Sequence, residues 1–181
     1  MMVRLVVGDE IAIRLHEQSN VEELYALIER NRSYLKEWMP WADQGSEESS
    51  EFVKRALQDF ATGEACEAGI WYQERLVGSI GLHARNSMFR KMEMGYWISE
   101  ESQGKGIVTR SCLTMMGFAF DELKLNRVEI QVAVGNDRSS AIPERLGFTR
   151  EGTLRKMGWH AGEHVDLVVY GMLAEEWKNL I

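Results

Sequence analysis

The segment at residues 101–110, ESQGKGIVTR, constrains the fold more than any other stretch of the chain. It lies between MEMGYWIS, which has the pattern of a strand, and SCLTMMGFAFDEL, which has the pattern of a helix. A strand that runs through glycines into a helix start leaves several backbone N–H groups without an intrahelical partner, and the helix dipole adds positive potential. Such a corner binds anions. The next apolar run, NRVEIQVAV, reads as a strand, so the helix over about 106–122 is expected to cross between two neighbouring parallel strands.

The glycine spacing rejects two nucleotide loops. A triphosphate loop needs G-x-x-x-x-G-K-[ST], but Lys105 is followed by Gly106, and Ser99 stands five residues before Gly104. A dinucleotide fingerprint, G-x-G-x-x-G, meets Thr109 where its third glycine belongs. What remains is a turn that merely launches a helix, or a cradle for a different phosphate.

Upstream, VRLVVGDEIAIRL has two short apolar runs around Gly8 and Asp9, the pattern of an antiparallel hairpin. Ser19 and Glu22 have capping-box spacing ahead of Val21, Leu24, Ile28 and Leu35, which predicts a helix over about 20–35, with Pro40 beyond its end. A second helix is expected after Ser46, with Phe52, Ala56, Leu57 and Phe60 on one face and Gly63 at its stop. EAGIWYQ, RLVGSIGLHA and KMEMGYWIS then read as an antiparallel meander. Beyond the crossover, NDRSSAIPERLGF predicts a short helix closed by Gly147, and GTLRKMGWH and HVDLVVYGML a hairpin around Ala161 and Gly162. Pro143 removes the N–H that would bond the Ser139 carbonyl, so an irregular first turn is expected in that helix.

Hairpin, two helices, meander, helix, strand, helix, hairpin is an α+β order. It predicts a mixed, mostly antiparallel sheet of about seven strands flanked by about four helices. The 181 residues fit a single domain over 1–181, and 45% apolar and 27% charged residues with two prolines are ordinary globular composition. A net charge of −7 argues against broad nucleic-acid binding, which needs a basic surface. No run approaches the length of a membrane span and the first residues lack a leader's apolar stretch, so no membrane association and a cytoplasmic location are expected. Cys66 and Cys112 read as free thiols. His160 and His164 flank the turn glycine Gly162 and do not share a helix face, so no metal is expected.

GYWISEESQGKGIVTRS followed by GNDRSSAIPERLGFTREG closely resembles the GCN5-related N-acetyltransferase (GNAT) superfamily and, within it, the RimL/RimJ-like ribosomal-protein N-terminal acetyltransferases. The resemblance covers nearly the whole chain and implies a GNAT fold and an acetyl-CoA-dependent acyltransferase. In that superfamily [RQ]-x-x-G-x-[GA] cradles the acetyl-CoA pyrophosphate; Gln103, Gly106 and Val108 take its fixed positions, the last departing from Gly or Ala. On this reading the backbone N–H groups of Gly104, Lys105, Gly106, Ile107, Val108 and Thr109 hold the diphosphate, with charge from Lys105 and Arg110. The strand end Tyr96, Trp97 and Ile98 pairs with the amides of the pantetheine arm, and N–H groups near Ile98 or Met94 polarise the thioester.

The resemblance also assigns Asn136 to the pantetheine arm and Ser139 to the thioester, as general acid for the departing thiolate, although a serine near a helix start is an N-cap by default. Glu93 stands where the superfamily often places a general base, with Glu100 and Glu101 at the lip of the loop as alternatives. Each is equally readable as a solvated carboxylate, Glu93 with Lys91 or Arg90 as its partner. The acceptor implied is an amine that attacks directly, without a covalent enzyme intermediate. A protein N-terminal α-amine of the ribosomal-protein type has a pKa near ~8 and is far easier to deprotonate than a lysine near ~10.4. A small amine such as a polyamine, antibiotic or amino acid is the alternative, and a CoA-binding module without turnover a third reading. Tyr34, Trp38 and Trp41 fall in the region that covers the acceptor in RimL-like proteins, with Asp43, Glu47 and Glu48 nearby. Whether copies of the chain assemble into a homo-oligomer is left open.

Overall fold

The computed structural model describes residues 4–43 and 45–180. Its framework is an eight-stranded mixed sheet. β1 (Arg4–Val6) and β2 (Ile11–Leu15) form the opening hairpin. β3 (Cys66–Tyr72), β4 (Arg75–Asn86) and β5 (Lys91–Ile98) form the antiparallel meander. β6 (Arg127–Ala133) follows the crossover, and β7 (Thr149–His160) and β8 (Glu163–Leu173) close the chain as a hairpin. The order across the sheet is β1-β2-β3-β4-β5-β6-β8-β7, and among the described residues only β5 and β6 run parallel.

Two helices cover one face. α1 (Val21–Leu35) buries Leu24, Leu27, Ile28 and Leu35, a stripe at helical spacing. α2 (Ser46–Thr62) buries Val53 and Ala56, ends at Gly63 in the left-handed region, and leaves Leu57 on the solvent side. On the other face α3 (Ile107–Gly117) buries Ile107, Val108, Cys112, Met115 and Met116 against Met92, Met94 and Ile130 of the sheet, and continues into a wider turn over Phe118–Glu122. α4 (Asp137–Arg145) sits beyond β6, and α5 (Ala174–Lys178) packs Trp177 under the same core.

Among the described residues, eight strands and five helices stand against about seven and about four expected; the short α5, which follows β8 directly, is the helix the pattern did not show. Three local expectations are corrected. The capping box before α1 is built by Glu17 and Asn20 rather than Ser19 and Glu22, because the chain first makes a short 3-10 turn over Gln18–Asn20. α2 is capped from Gly45, whose N–H donates to the Glu48 carboxylate. The first turn of α4 is helical despite Pro143, since the bond lost is supplied from outside the helix. Cys66 and Cys112 are buried free thiols, and burial pushes Cys66 up to about 12. Among the described residues no helix is long and apolar enough to cross a membrane.

The feature that creates a site is the limited pairing of β5 with β6. Their register runs only over Lys91 to Glu93 against Arg127 to Glu129. At this closed end Glu129 accepts from Lys91 at 2.6 Å and from Arg127 at 2.8 Å, and Arg127 also grips Glu151. Burial alone would raise the Glu129 carboxyl, but these two cations hold it below its usual range. Beyond Glu93 and Glu129 the two strands part, and the β6-facing edge of β5 from Met94 to Ile98 is left without a strand partner among the described residues.

Candidate active site

The gap between β5 and β6 is the floor of a cleft with two connected chambers. The first, of about 880 Å³, lies between α1, the β5–α3 loop and α4. Its anion cradle follows from the backbone. Gly104 and Gly106 have φ of +71° and +70°, a region costly for residues with a Cβ, and a Cβ at either would meet nothing within 4 Å. The cost of a side chain there is backbone strain rather than collision. Gly106 caps α3, whose first intrahelical bond is Arg110 N–H to the Gly106 carbonyl, so the N–H groups of Ile107, Val108 and Thr109 lack helical partners.

Cationic side chains surround this cradle. Arg110 lines it directly. Arg138 donates to Gln103 Oε1 at 2.8 Å, and Arg145 donates to Thr109 Oγ1 at 2.9 Å. Arg138 and Arg145 are seven apart on α4 and share one face, the spacing by which the sequence would have revealed them. Lys105, expected to add charge here, does not line the chamber; its ammonium lies 5.7 Å from the centre of the Tyr72 ring. The other residues expected in this role, Tyr96, Trp97, Ile98, Gln103, Gly104, Gly106, Ile107, Val108, Thr109 and Asn136, are brought together along its wall. These features fit acetyl-CoA: an N–H nest for a diphosphate, an unpaired strand edge for an amide-bearing arm, and an apolar wall.

Ser139 stands where the two chambers meet, beside Tyr96, Trp97 and Asn136. Its N–H donates to Asn136 Oδ1 at 3.2 Å, so Asn136 is the cap of α4 and the Ser139 hydroxyl is free of that duty. The Ser139 Oγ donates to the Tyr96 hydroxyl at 3.4 Å, and Tyr96 in turn donates to the Ser139 carbonyl at 3.0 Å. Burial raises the Tyr96 phenol, keeping it protonated. The pair therefore presents neutral hydroxyls where the two chambers meet.

The second chamber, of about 790 Å³, lies over the α1–α2 face of the sheet and is walled by Trp38, Trp41, Phe52, Trp97 and Trp159. Trp38 stacks on His160 with ring centres 4.2 Å apart, and the His160 ring also contacts the Glu37 carbonyl, so the β7–β8 hairpin is tied to the end of α1 as a roof. The carboxylate on its lining is Glu67, which accepts from His83 Nδ1 at 3.2 Å. Neither residue stood out in the sequence. Glu93 lines neither chamber: it is in register with His83 on β4 and Glu129 on β6, at the closed end of the gap. Glu100 and Glu101 sit in the turn before the cradle, and Glu100 N–H is held by Asn31 Oδ1 at 2.9 Å. Among the described residues no group of side chains is arranged to hold a metal.

Residues 10–149 match the family model described as the acetyltransferase (GNAT) domain. The chain is 41% identical over 178 residues, 96% of each sequence, to the Bacillus subtilis (strain 168) protein named "Putative ribosomal N-acetyltransferase YdaF". Among solved structures it is similar to microcin C7 self-immunity acetyltransferase MccE in complex with acetyl-CoA and AMP, at 28% identity and a TM-score of 0.87, covering 92% of this chain and 94% of that one. It is also similar to apo RimL, a ribosomal L7/L12 α-N-protein acetyltransferase, at 25% identity and a TM-score of 0.89, covering 96% and 95%. Because the family model spans most of the chain and a relative 41% identical runs along nearly all of it, the chain belongs to the GNAT acetyltransferase family and is an acetyl-CoA-dependent N-acetyltransferase.

Proposed function

We propose that the acceptor is the N-terminal α-amine of a protein chain, of the ribosomal-protein type. The observation that carries this reading is the second chamber itself. It is separate from the cofactor chamber, meets it at Tyr96 and Ser139, and has room for the first residues of a polypeptide between aromatic walls. Aromatic walls bind the apolar parts of such a chain end, and the Glu67 carboxylate favours the cationic amine that leads it. YdaF and RimL, both similar over nearly their whole length, carry names of ribosomal acetyltransferases.

The thioester supplies an activated acetyl group. The backbone edge of β5 at Tyr96 to Ile98 aligns the arm that carries it, and the cradle at Gly104 to Thr109 fixes the far end. The amine nitrogen bonds to the acyl carbon and the C–S bond breaks; Ser139, backed by Tyr96, gives a proton to the departing sulfur and regains one that the nitrogen sheds to become the amide.

The test is a panel of acceptors with acetyl-CoA, read by thiol release and mass spectrometry. A peptide matching a ribosomal-protein N-terminus is expected to be acetylated at its α-amine, and the same peptide with a blocked terminus and an internal lysine to be inert. Efficient acetylation of a polyamine with none of any peptide terminus would overturn the reading.

A further inference from the structure

We propose that His83, oriented by Glu67, is the proton acceptor for the attacking amine. The inference deepens the acceptor assignment above, because it rests on the same chamber receiving an amine.

Glu67 on β3 and His83 on β4 point into the acceptor chamber from adjacent strands. Two glycines make room for them. A Cβ on Gly81 would run into the Glu67 carboxylate, and a Cβ on Gly95 would come within 2.9 Å of His83 Cε1. Glu67 is mostly buried, with 19% of its side chain exposed, whereas His83 keeps 43%. The carboxylate is thus the fixed member and the imidazole the one that meets substrate. With Nδ1 donating to Glu67, Nε2 carries a lone pair and makes no hydrogen bond among the described residues.

The electrostatics favour proton uptake at that nitrogen. The hydrogen bond to Glu67 raises the affinity of His83 for a proton, and the nearby charges of Glu67 and Glu93 add to it, outweighing burial. The other charged or titratable groups around it are the Lys91, Arg127 and Glu129 network further along the sheet, and Lys156 and His164 across the chamber. His16, also on this face, cannot serve. It is 1% exposed, and its Nε2 is engaged with Ser79 Oγ, which itself donates to the Ala68 carbonyl.

An ammonium entering the chamber gives one proton to His83 Nε2, directly or along one water, and becomes the neutral amine whose lone pair bonds to the acyl carbon. As the C–S bond breaks, the nitrogen sheds its second proton, which replaces the one that Ser139 gives to the sulfur. The imidazolium formed is held by Glu67 and faced by Glu93, and it returns its proton to solvent through its exposed edge. His83 is the catalytic residue here, Glu67 a positioning residue, and Glu93 a second negative charge behind the ring.

The experiment compares wild type with His83→Gln and Glu67→Gln on whichever amine the enzyme turns over. His83→Gln is expected to lower kcat/KM at pH 7 about 100-fold for an aliphatic amine. It is expected to leave CoA affinity unchanged and to remove the histidine limb of the pH–rate profile. An arylamine, already neutral at pH 7, is expected to lose less than threefold. Glu67→Gln is expected to move the limb to lower pH rather than abolish it. Independently of turnover, the His83 Cε1 proton followed by NMR is expected to titrate above an ordinary histidine, and to fall toward it in Glu67→Gln. A wild-type pH profile in folded His83→Gln overturns the proposal, as does an equal loss for both amine types. A peptide terminus that is not a substrate overturns only the acceptor assignment.

Discussion

The Tyr96 hydroxyl donates a 3.0 Å hydrogen bond to the backbone carbonyl of Ser139, bridging the gap where β5 and β6 separate. That carbonyl is available because Pro143, four residues on in α4, has no N–H to give it. A proline that would weaken an isolated helix thus leaves an acceptor pointing at the active site. Tyr96→Phe is expected to cost about 1–2 kcal/mol, the penalty of a stranded buried acceptor. With Pro143→Ala in place the N–H at position 143 can take over, and the same tyrosine substitution is expected to cost about 1 kcal/mol less. Urea unfolding of the four proteins of this cycle measures the difference; strictly additive costs would show that the carbonyl is not shared.

The cap of α4 and the proposed proton donor are different residues, so they should be separable. Asn136 accepts from the Ser139 N–H, and Asn136→Ala is expected to destabilise the fold by about 1 kcal/mol. Ser139→Ala removes only the hydroxyl at the chamber junction. Its expected effect is a kcat lower by about 10-fold to 100-fold with CoA affinity and unfolding midpoint unchanged. Calorimetric titration with CoA alongside steady-state kinetics checks both halves; a loss of CoA binding in Ser139→Ala would assign the hydroxyl to the arm instead.

At the cradle, Gly106→Ala introduces no collision but forces a non-glycine residue to φ near +70°. The strain is about 1–2 kcal/mol, and relief by rotating the peptide would turn N–H groups away from the diphosphate. CoA affinity is expected to fall about tenfold or more, while kcat at saturating acetyl-CoA stays within twofold. Dephospho-CoA, which keeps the pyrophosphate, should lose as much as CoA does.

The part of this site that was legible in the sequence is the part made by consecutive residues. Gln103 to Thr109 form the cradle because strand, glycines and helix follow one another, and the α3 crossover sets β5 beside β6 in parallel. The acceptor chamber was not legible, because it is made by register. Glu67 and His83 lie 16 positions apart and meet only through the β3–β4 pairing, with room supplied by Gly81 and Gly95 on two different strands. Lys105 sits in the motif, yet the φ > 0 glycines on either side of it turn the chain so that its ammonium reaches Tyr72. Glu93 has the right strand and lies two residues too close to the clamped end of the gap to line the chamber.

His16 gives the protein a pH dependence that can be isolated. It is buried and neutral, with its pKa lowered from 6.5 to about 4 by loss of solvation. Between those values the unfolded chain binds more protons at this position than the folded one, so stability falls as pH drops below 6.5 and the loss levels off near pH 4. The full loss is about 3 kcal/mol, most of it in place by pH 5. The neighbouring windows belong to other groups. His83, raised by Glu67, contributes stability that is present below the ordinary histidine value and lost as pH rises through its higher folded value. Glu129 and Glu151, lowered by Lys91 and Arg127, lose theirs below the ordinary carboxylate value of 4.5. Urea midpoints at pH 5 and pH 6, both below the range in which His83 loses its contribution, are therefore expected to differ for wild type and to converge for His16→Gln, whose amide can still donate to Ser79. An undiminished difference in His16→Gln would place the proton uptake elsewhere.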